Sequence, residues 1–261
     1  MQEVKPQERI VFVGAGKLAT NLSVALQKAG YTITQVYSRT EEAAKALGER
    51  LGCAWTNCLE NITKDADLYI YALTDSVLPH IASLPIGNKE AIHLHTAGSI
   101  DKDVFSTKKR YGVLYPFQSF SKEQLADFSQ IPILVEGSDE GVEEIITRTS
   151  RNLSEKVYKA DLEHRQRLHL AGVFANNFTN CMYAIAEEQL QKAGLPFDIL
   201  LPLIQETAHR VETIAPRKAQ TGPARRHDTN VMEKHIQLLQ DDTSLETLYR
   251  IISTNIMNHE A

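Results

Sequence analysis

The chain has 261 residues, 43% of them hydrophobic and 23% charged, with a formal net charge of -5 at pH 7. That length accommodates one large hydrophobic core or two smaller ones, and two is the reading adopted here. The negative charge gives no footing for nucleic acid or an anionic membrane, and no apolar run approaches the roughly 20 residues that cross a bilayer. The opening MQEVKPQER lacks the charged and then apolar blocks of a secretory leader, so a cytoplasmic location is expected. Cys53, Cys58 and Cys181 form an odd set without C-x-x-C spacing, which predicts free thiols and neither disulfides nor a metal site.

In chain order, the apolar run at residues 9–13 predicts a strand, followed by a turn and by Leu18, Leu22, Ala25, Leu26 and Ala29 at helical spacing. Gly30 closes that helix, YTITQVYS at 31–38 alternates like a strand, and a helix follows over about 41–51. Further strands are expected in DLYIYAL (67–73), AIHLH (91–95), YGVLYPF (111–117) and IPILVEG (131–137), with a helix from about Ser76. Strands alternating with helices predict an α/β fold, a Rossmann-like, mostly parallel, doubly wound sheet over residues 1–159.

After Lys159 the pattern turns helical. From Asp161 to about Lys192 only Gly172 interrupts it, which predicts a helix of roughly 30 residues, ~45 Å long. KAGLPFDILLPLIQETAHRVETI, TNVMEKHIQLLQ and SLETLYRIISTNIMN supply three more helices, so residues 160–261 read as a smaller all-helical domain.

The segment GAGKLA matches G-x-G-x-x-G/A through Gly14, Gly16 and Ala19, with Ala15, Lys17 and Leu18 between them. The pattern is weak alone, but here it follows a strand and opens a helix. Gly14 then permits the tight turn, Gly16 lets a diphosphate approach the backbone, and Ala19 lets helix and strand pack. The diphosphate would rest on the free amides and the positive dipole end of the helix.

An NAD site places Asp or Glu at the end of the second strand to bind the ribose diol. This chain has Ser38, Arg39 and Thr40 there, and a guanidinium between two hydroxyls suits a 2'-phosphate instead. NADP is therefore the expected cofactor, with a solvated arginine ahead of a Thr40 helix cap as the rival account. Leu73, Thr74, Asp75 and Ser76 would pass over the nicotinamide ribose, although Asp75 or Ser76 also suits the cap of the next helix. His95 and Ser99, around Thr96, bring polar groups to the strand end nearest the nicotinamide; His93 reads as a core histidine.

With these motifs, YPFQSFS and TGPARRHD in view, the chain resembles a family of uncharacterised NADP oxidoreductases. Its members join a Rossmann-like domain to a helical domain of unknown function. The likeness covers essentially the whole chain, and its fold relatives include pyrroline-5-carboxylate reductase, ketopantoate reductase, the β-hydroxyacid dehydrogenases and the deazaflavin-dependent NADP oxidoreductases. The resemblance implies a nicotinamide cofactor and dimerisation through the helical domain, and it supplies no substrate. In the ketopantoate and β-hydroxyacid enzymes a lysine and asparagines line the first long helix of the second domain. Here HLAGVFANNFTN has no lysine, but His169, Val173 and Asn177 share a face at steps of four.

The expected activity is NADPH-dependent reduction of a small carbonyl or imine between the two domains. His95 or His169 would donate the proton, and Ser99 and Asn177 would orient the acceptor. Gln118, Asn176 and Arg225 are candidate substrate contacts, Arg225 as a bidentate donor beside Arg226; Asn230 and Glu233 have capping-box spacing. The alternative from another class is a non-catalytic NADP sensor that reports occupancy through the helical domain.

Overall fold

A computed structural model describes residues 8–258. Residues 1–7, on which most of the leader reading rests, lie outside the described residues. The first part of the chain runs β1 (Arg9–Val13), α1 (Lys17–Lys28), β2 (Thr32–Tyr37), α2 (Glu41–Leu51), β3 (Ala54–Thr56), β4 (Leu68–Tyr71) and α3 (Leu78–Ala82). It continues with β5 (Ile92–His95), β6 (Tyr111–Pro116), β7 (Ile133–Gly137), α4 (Glu140–Arg151) and β8 (Val157–Lys159).

The strands form one eight-stranded sheet in the order β3-β2-β1-β4-β5-β6-β7-β8. Neighbours are parallel except β6 and β7. The order reverses at β1, which pairs β2 on one side and β4 on the other, so a crevice opens at its carboxyl end.

The sequence of β1 explains why both faces are covered. Ile10 and Phe12 belong to one buried cluster with Leu22, Leu26 and Ile70, whereas Val11 and Val13 belong to another with Tyr69, Tyr71 and Phe105. A strand apolar at every position must bury both faces, at about 1.5–3 kcal/mol for each fully buried large side chain.

Two strands have no counterpart in the sequence reading. β3 and β8 have three residues each, too short for a periodic signal. α3 starts at Leu78 and not at about Ser76, because a turn from Thr74 O to the amides of Val77 and Leu78 uses those residues first.

The helical part comprises α5 (Leu162–Gly172), a π-helical segment (Val173–Phe178), α6 (Thr179–Lys192), α7 (Leu201–Arg210), α8 (Pro216–Ala219), α9 (Thr229–Leu238) and α10 (Thr243–Asn258). The long helix expected from Asp161 therefore exists, with a wider turn at its centre directly after Gly172. The chain divides into two compact units, the first ending at Phe178 and the second beginning at Thr179. The sequence changes character earlier, at Lys159. In the first unit, α5 is tied to the sheet through Arg165, which is fully buried and bonds Glu136, Ala160 O at 3.0 Å and Ile100 O at 2.9 Å. In the second unit, among the described residues, only Ala224 and Ser253 are buried. No helix among the described residues is long and apolar enough to cross a membrane.

Candidate functional site

The turn from β1 into α1 depends on a missing side chain. Gly14 lies at φ +121°, and a Cβ there would stand 2.3 Å from Ala72 O, while its amide donates to Tyr37 O at 2.7 Å. The end of β1 is thus held between the ends of β2 and β4 at a spacing only glycine allows.

Gly16 is the N-cap of α1 and makes no side-chain cap, the first turn of α1 carries no acidic residue, and apart from the adjacent residues nothing lies within 4 Å of where a Gly16 Cβ would be. Amides at the start of α1 are therefore neither capped nor neutralised by a side chain. Ala19 is fully buried under the sheet, Lys17 is exposed and Leu18 half-buried.

In front of this helix lies a cavity of about 430 Å³ whose lining includes Gly14, Ala15, Gly16, Ser38, Arg39, Thr40, Leu73 and Thr74. It brings together residues named from three separate strand ends. Tyr37, Ala43, Ala72, Val77 and Ile81 also line it; none of these had a chemical signal in the sequence. Thr40 is the N-cap position of α2 but makes no side-chain cap. Asp75 and Ser76 are outside the lining and cap no helix. The Asp75 carboxylate accepts a short hydrogen bond from Ser99 Oγ, and Ser76 Oγ is 3.3 Å from Thr74 Oγ1.

A second polar group gathers at the ends of β4, β5 and β6. Tyr115, near the end of β6, is 8% exposed, and its hydroxyl is 3.2 Å from Nδ1 of the exposed His169. Burial raises the phenol's pKa, the nearby Asp75 charge raises it further, and Arg165 opposes both. Asn176 Nδ2 donates to Ser119 Oγ at 2.8 Å, and Gln118 Oε1 accepts from Ser119 N at 2.9 Å.

Asn177 is exposed, and the π turn between it and His169 breaks the four-residue stacking on which their shared face was read. Asn21, also absent from the sequence reading, is buried in α1; its Nδ2 donates to Ser121 O at 2.6 Å and its Oδ1 accepts from Ala126 N at 2.8 Å. It ties the loop after β6 to the helix behind Gly16. An apolar-face asparagine at 3.6-residue spacing was the available signal.

His95 lies elsewhere than expected. It has no exposed surface, its Nδ1 accepts from Ala97 N at 3.2 Å, and burial, aided by Arg165, lowers its pKa to about 4. At neutral pH this imidazole is uncharged and faces the core. His93 is likewise buried, 3.0 Å from Tyr71 OH and stacked on Tyr69.

Arg225 belongs to the second unit, half-buried in a short turn over Ala224–Arg226. The capping-box reading at Asn230 and Glu233 is corrected: Asp228 is the N-cap of α9, accepting from Val231 N at 3.2 Å, and Asn230 sits inside the helix. The same unit holds a mostly apolar cavity of about 700 Å³ among α6, α9, α10 and the turn at 221–224. Cys53 and Cys58 are half-buried and Cys181 exposed, all as free thiols.

Residues 9–92 match a family described as NADP oxidoreductase, coenzyme F420-dependent, and residues 131–256 match a domain of unknown function, DUF2520. No curated protein matches the chain. Among solved structures, a Thermotoga maritima protein is 23% identical with a TM-score of 0.81, covering 95% of this chain and 98% of its own. A reductive aminase from Aspergillus terreus, solved with NADPH and ethyl-5-oxohexanoate, is 16% identical with a TM-score of 0.70, covering 98% and 97%. These two show the fold. A Bacteroides fragilis protein designated an NADP oxidoreductase is 44% identical with a TM-score of 0.91, over 97% of this chain and 99% of that one. With that identity along nearly the full length of both chains, the protein belongs to the NADP oxidoreductase family whose members carry a Rossmann-like domain followed by DUF2520.

Proposed function

We propose that the protein uses NADP(H) to reduce a small carbonyl or imine. The observation that carries this reading is one cavity bounded both by the uncapped start of α1 and by Ser38, Arg39 and Thr40, with no Asp or Glu in its lining. Free amides and a helix dipole suit a diphosphate, and Gly16 leaves room for it. An exposed guanidinium suits a 2'-phosphate, which a carboxylate would repel.

A bound reduced nicotinamide would supply the hydride. The chain would orient the acceptor through Ser99 and Asn177 and bring protons through the exposed His169. Gln118 and Asn176, joined through Ser119, would meet the substrate; separately, Arg225 of the second unit is proposed as a contact for an anionic group. We further propose that the helical segment 160–261 pairs two copies of the chain.

Calorimetric titration tests the cofactor assignment. The expected result is tighter binding of NADPH than NADH by the natural protein, and loss of at least about tenfold of that preference in Arg39→Asp, roughly one charge-assisted hydrogen bond. Equal selectivity in the two proteins would refute the 2'-phosphate role.

A further inference from the structure

The polar groups at the ends of β4, β5 and β6 converge on one phenol. A Cβ on Gly98 would stand 2.7 Å from Tyr115 Cζ and 2.9 Å from its hydroxyl oxygen. The space a side chain would take after β5 is therefore held by the Tyr115 ring. Phe117 packs edge-on against Tyr115 with ring centroids 6.2 Å apart. Gly172 lets α5 close on Phe117, since a Cβ there would come within 2.6 Å of the Phe117 ring. Two missing side chains thus set the distance at which His169, one turn before Gly172, reaches the hydroxyl.

The partner chosen is the informative feature. A buried tyrosine needs only some acceptor or donor for its hydroxyl, and backbone carbonyls commonly serve. Tyr69 follows that pattern, donating to Thr63 O at 2.7 Å, and Tyr71, which does meet an imidazole Nδ1, meets that of the buried His93 at 3.0 Å. Tyr115 instead meets, at 3.2 Å, the Nδ1 of an exposed imidazole whose ring is open to water. One end of the pair sits among Ser99, Asp75 and Gly98 at the strand ends, and the other in solvent.

We infer that Tyr115 is the catalytic residue that protonates the substrate oxygen, resupplied by His169, and that the acceptor is accordingly an aldehyde or ketone. The inference rests on the reductase reading. Were hydride delivered to the carbonyl carbon, the π pair would move to oxygen, which would take the phenol proton. The phenolate would take a proton from His169 Nδ1, and water would return it. An already protonated imine would need no such donor. Around the phenol, Asp75 from the loop after β4 opposes its ionisation and Arg165 from α5 favours it, so these two charges and His169 set the pH profile.

The test measures NADPH oxidation with matched panels of carbonyls and cyclic imines, alongside calorimetry with NADPH, for the natural protein, Tyr115→Phe and His169→Gln. Expected are carbonyl turnover by the natural protein, a fall of at least about 100-fold in kcat in Tyr115→Phe, and NADPH affinity within about twofold. His169→Gln should alter the dependence of kcat on pH. A Tyr115→Phe enzyme keeping a third of its kcat, or an unaltered pH profile in His169→Gln, overturns the relay and leaves the reductase reading intact. So does turnover of imines alone. NADPH binding with no turnover of either panel overturns both. Should Tyr115→Phe fail to bind NADPH, the His169→Gln profile decides.

Discussion

His93 and His95 show how a residue's setting overrides its type. Both alternate with Leu94 on β5, in a strand buried on both faces, and burial lowers each pKa from 6.5 to about 4. In the unfolded chain both would titrate near 6.5, so below that pH the unfolded state binds more protons than the native one. Stability from these two groups is complete above about pH 6.5 and is lost as pH falls toward 4. At pH 5 the loss is about 2 kcal/mol for each histidine. Urea denaturation at pH 7.5 and pH 5.0 should show it, and His95→Asn should flatten the profile; equal stability at the two values would mean that the sites admit the proton. His169, of the same residue type, lies exposed on α5 beside Tyr115.

At the scale of elements, the run from Leu162 to Lys192 is a helix whose middle turn is wound wider. Such turns recur at functional sites, and this one carries Asn176 against Ser119. The helix can lie this close to the end of β6 only because position 172 is glycine. Gly172→Ala would force α5 away from Phe117, with an overpacking cost of about 1–3 kcal/mol, and would part His169 from Tyr115. The expected outcome is a lower melting temperature with carbonyl turnover reduced more than NADPH affinity, since Gly14, Gly16 and Arg39 are on other elements. Differential scanning calorimetry with parallel NADPH titration checks it; turnover and affinity falling together would place the damage in the sheet.

For the molecule as a whole, the first unit has three buried clusters, whereas the second, among the described residues, leaves Leu195, Ile199, Leu203, Val211, Leu238 and Ile251 exposed and buries only Ala224 and Ser253. A helical unit of this kind lacks the core that stabilises small domains, which supports the proposed pairing of two copies. Sedimentation velocity at micromolar concentration should give a dimer, and Leu203→Glu with Ile251→Glu should shift it toward monomer; a natural protein that sediments as a monomer would remove the proposal. Sequence alone determined the βαβ order, the span of α2, the helical character after Asp161 and the glycine turn at residues 14–16. Local periodicity and backbone sterics act within a few residues, so the chain displays them openly. Asn21 as a loop staple, burial of His95, the Gly98–Tyr115–His169 contact and the Arg165–Glu136 pair were decided only by tertiary structure. Each joins residues tens of positions apart, and it is the packing of the sheet and α5 that sets which polar groups meet and which lose their water.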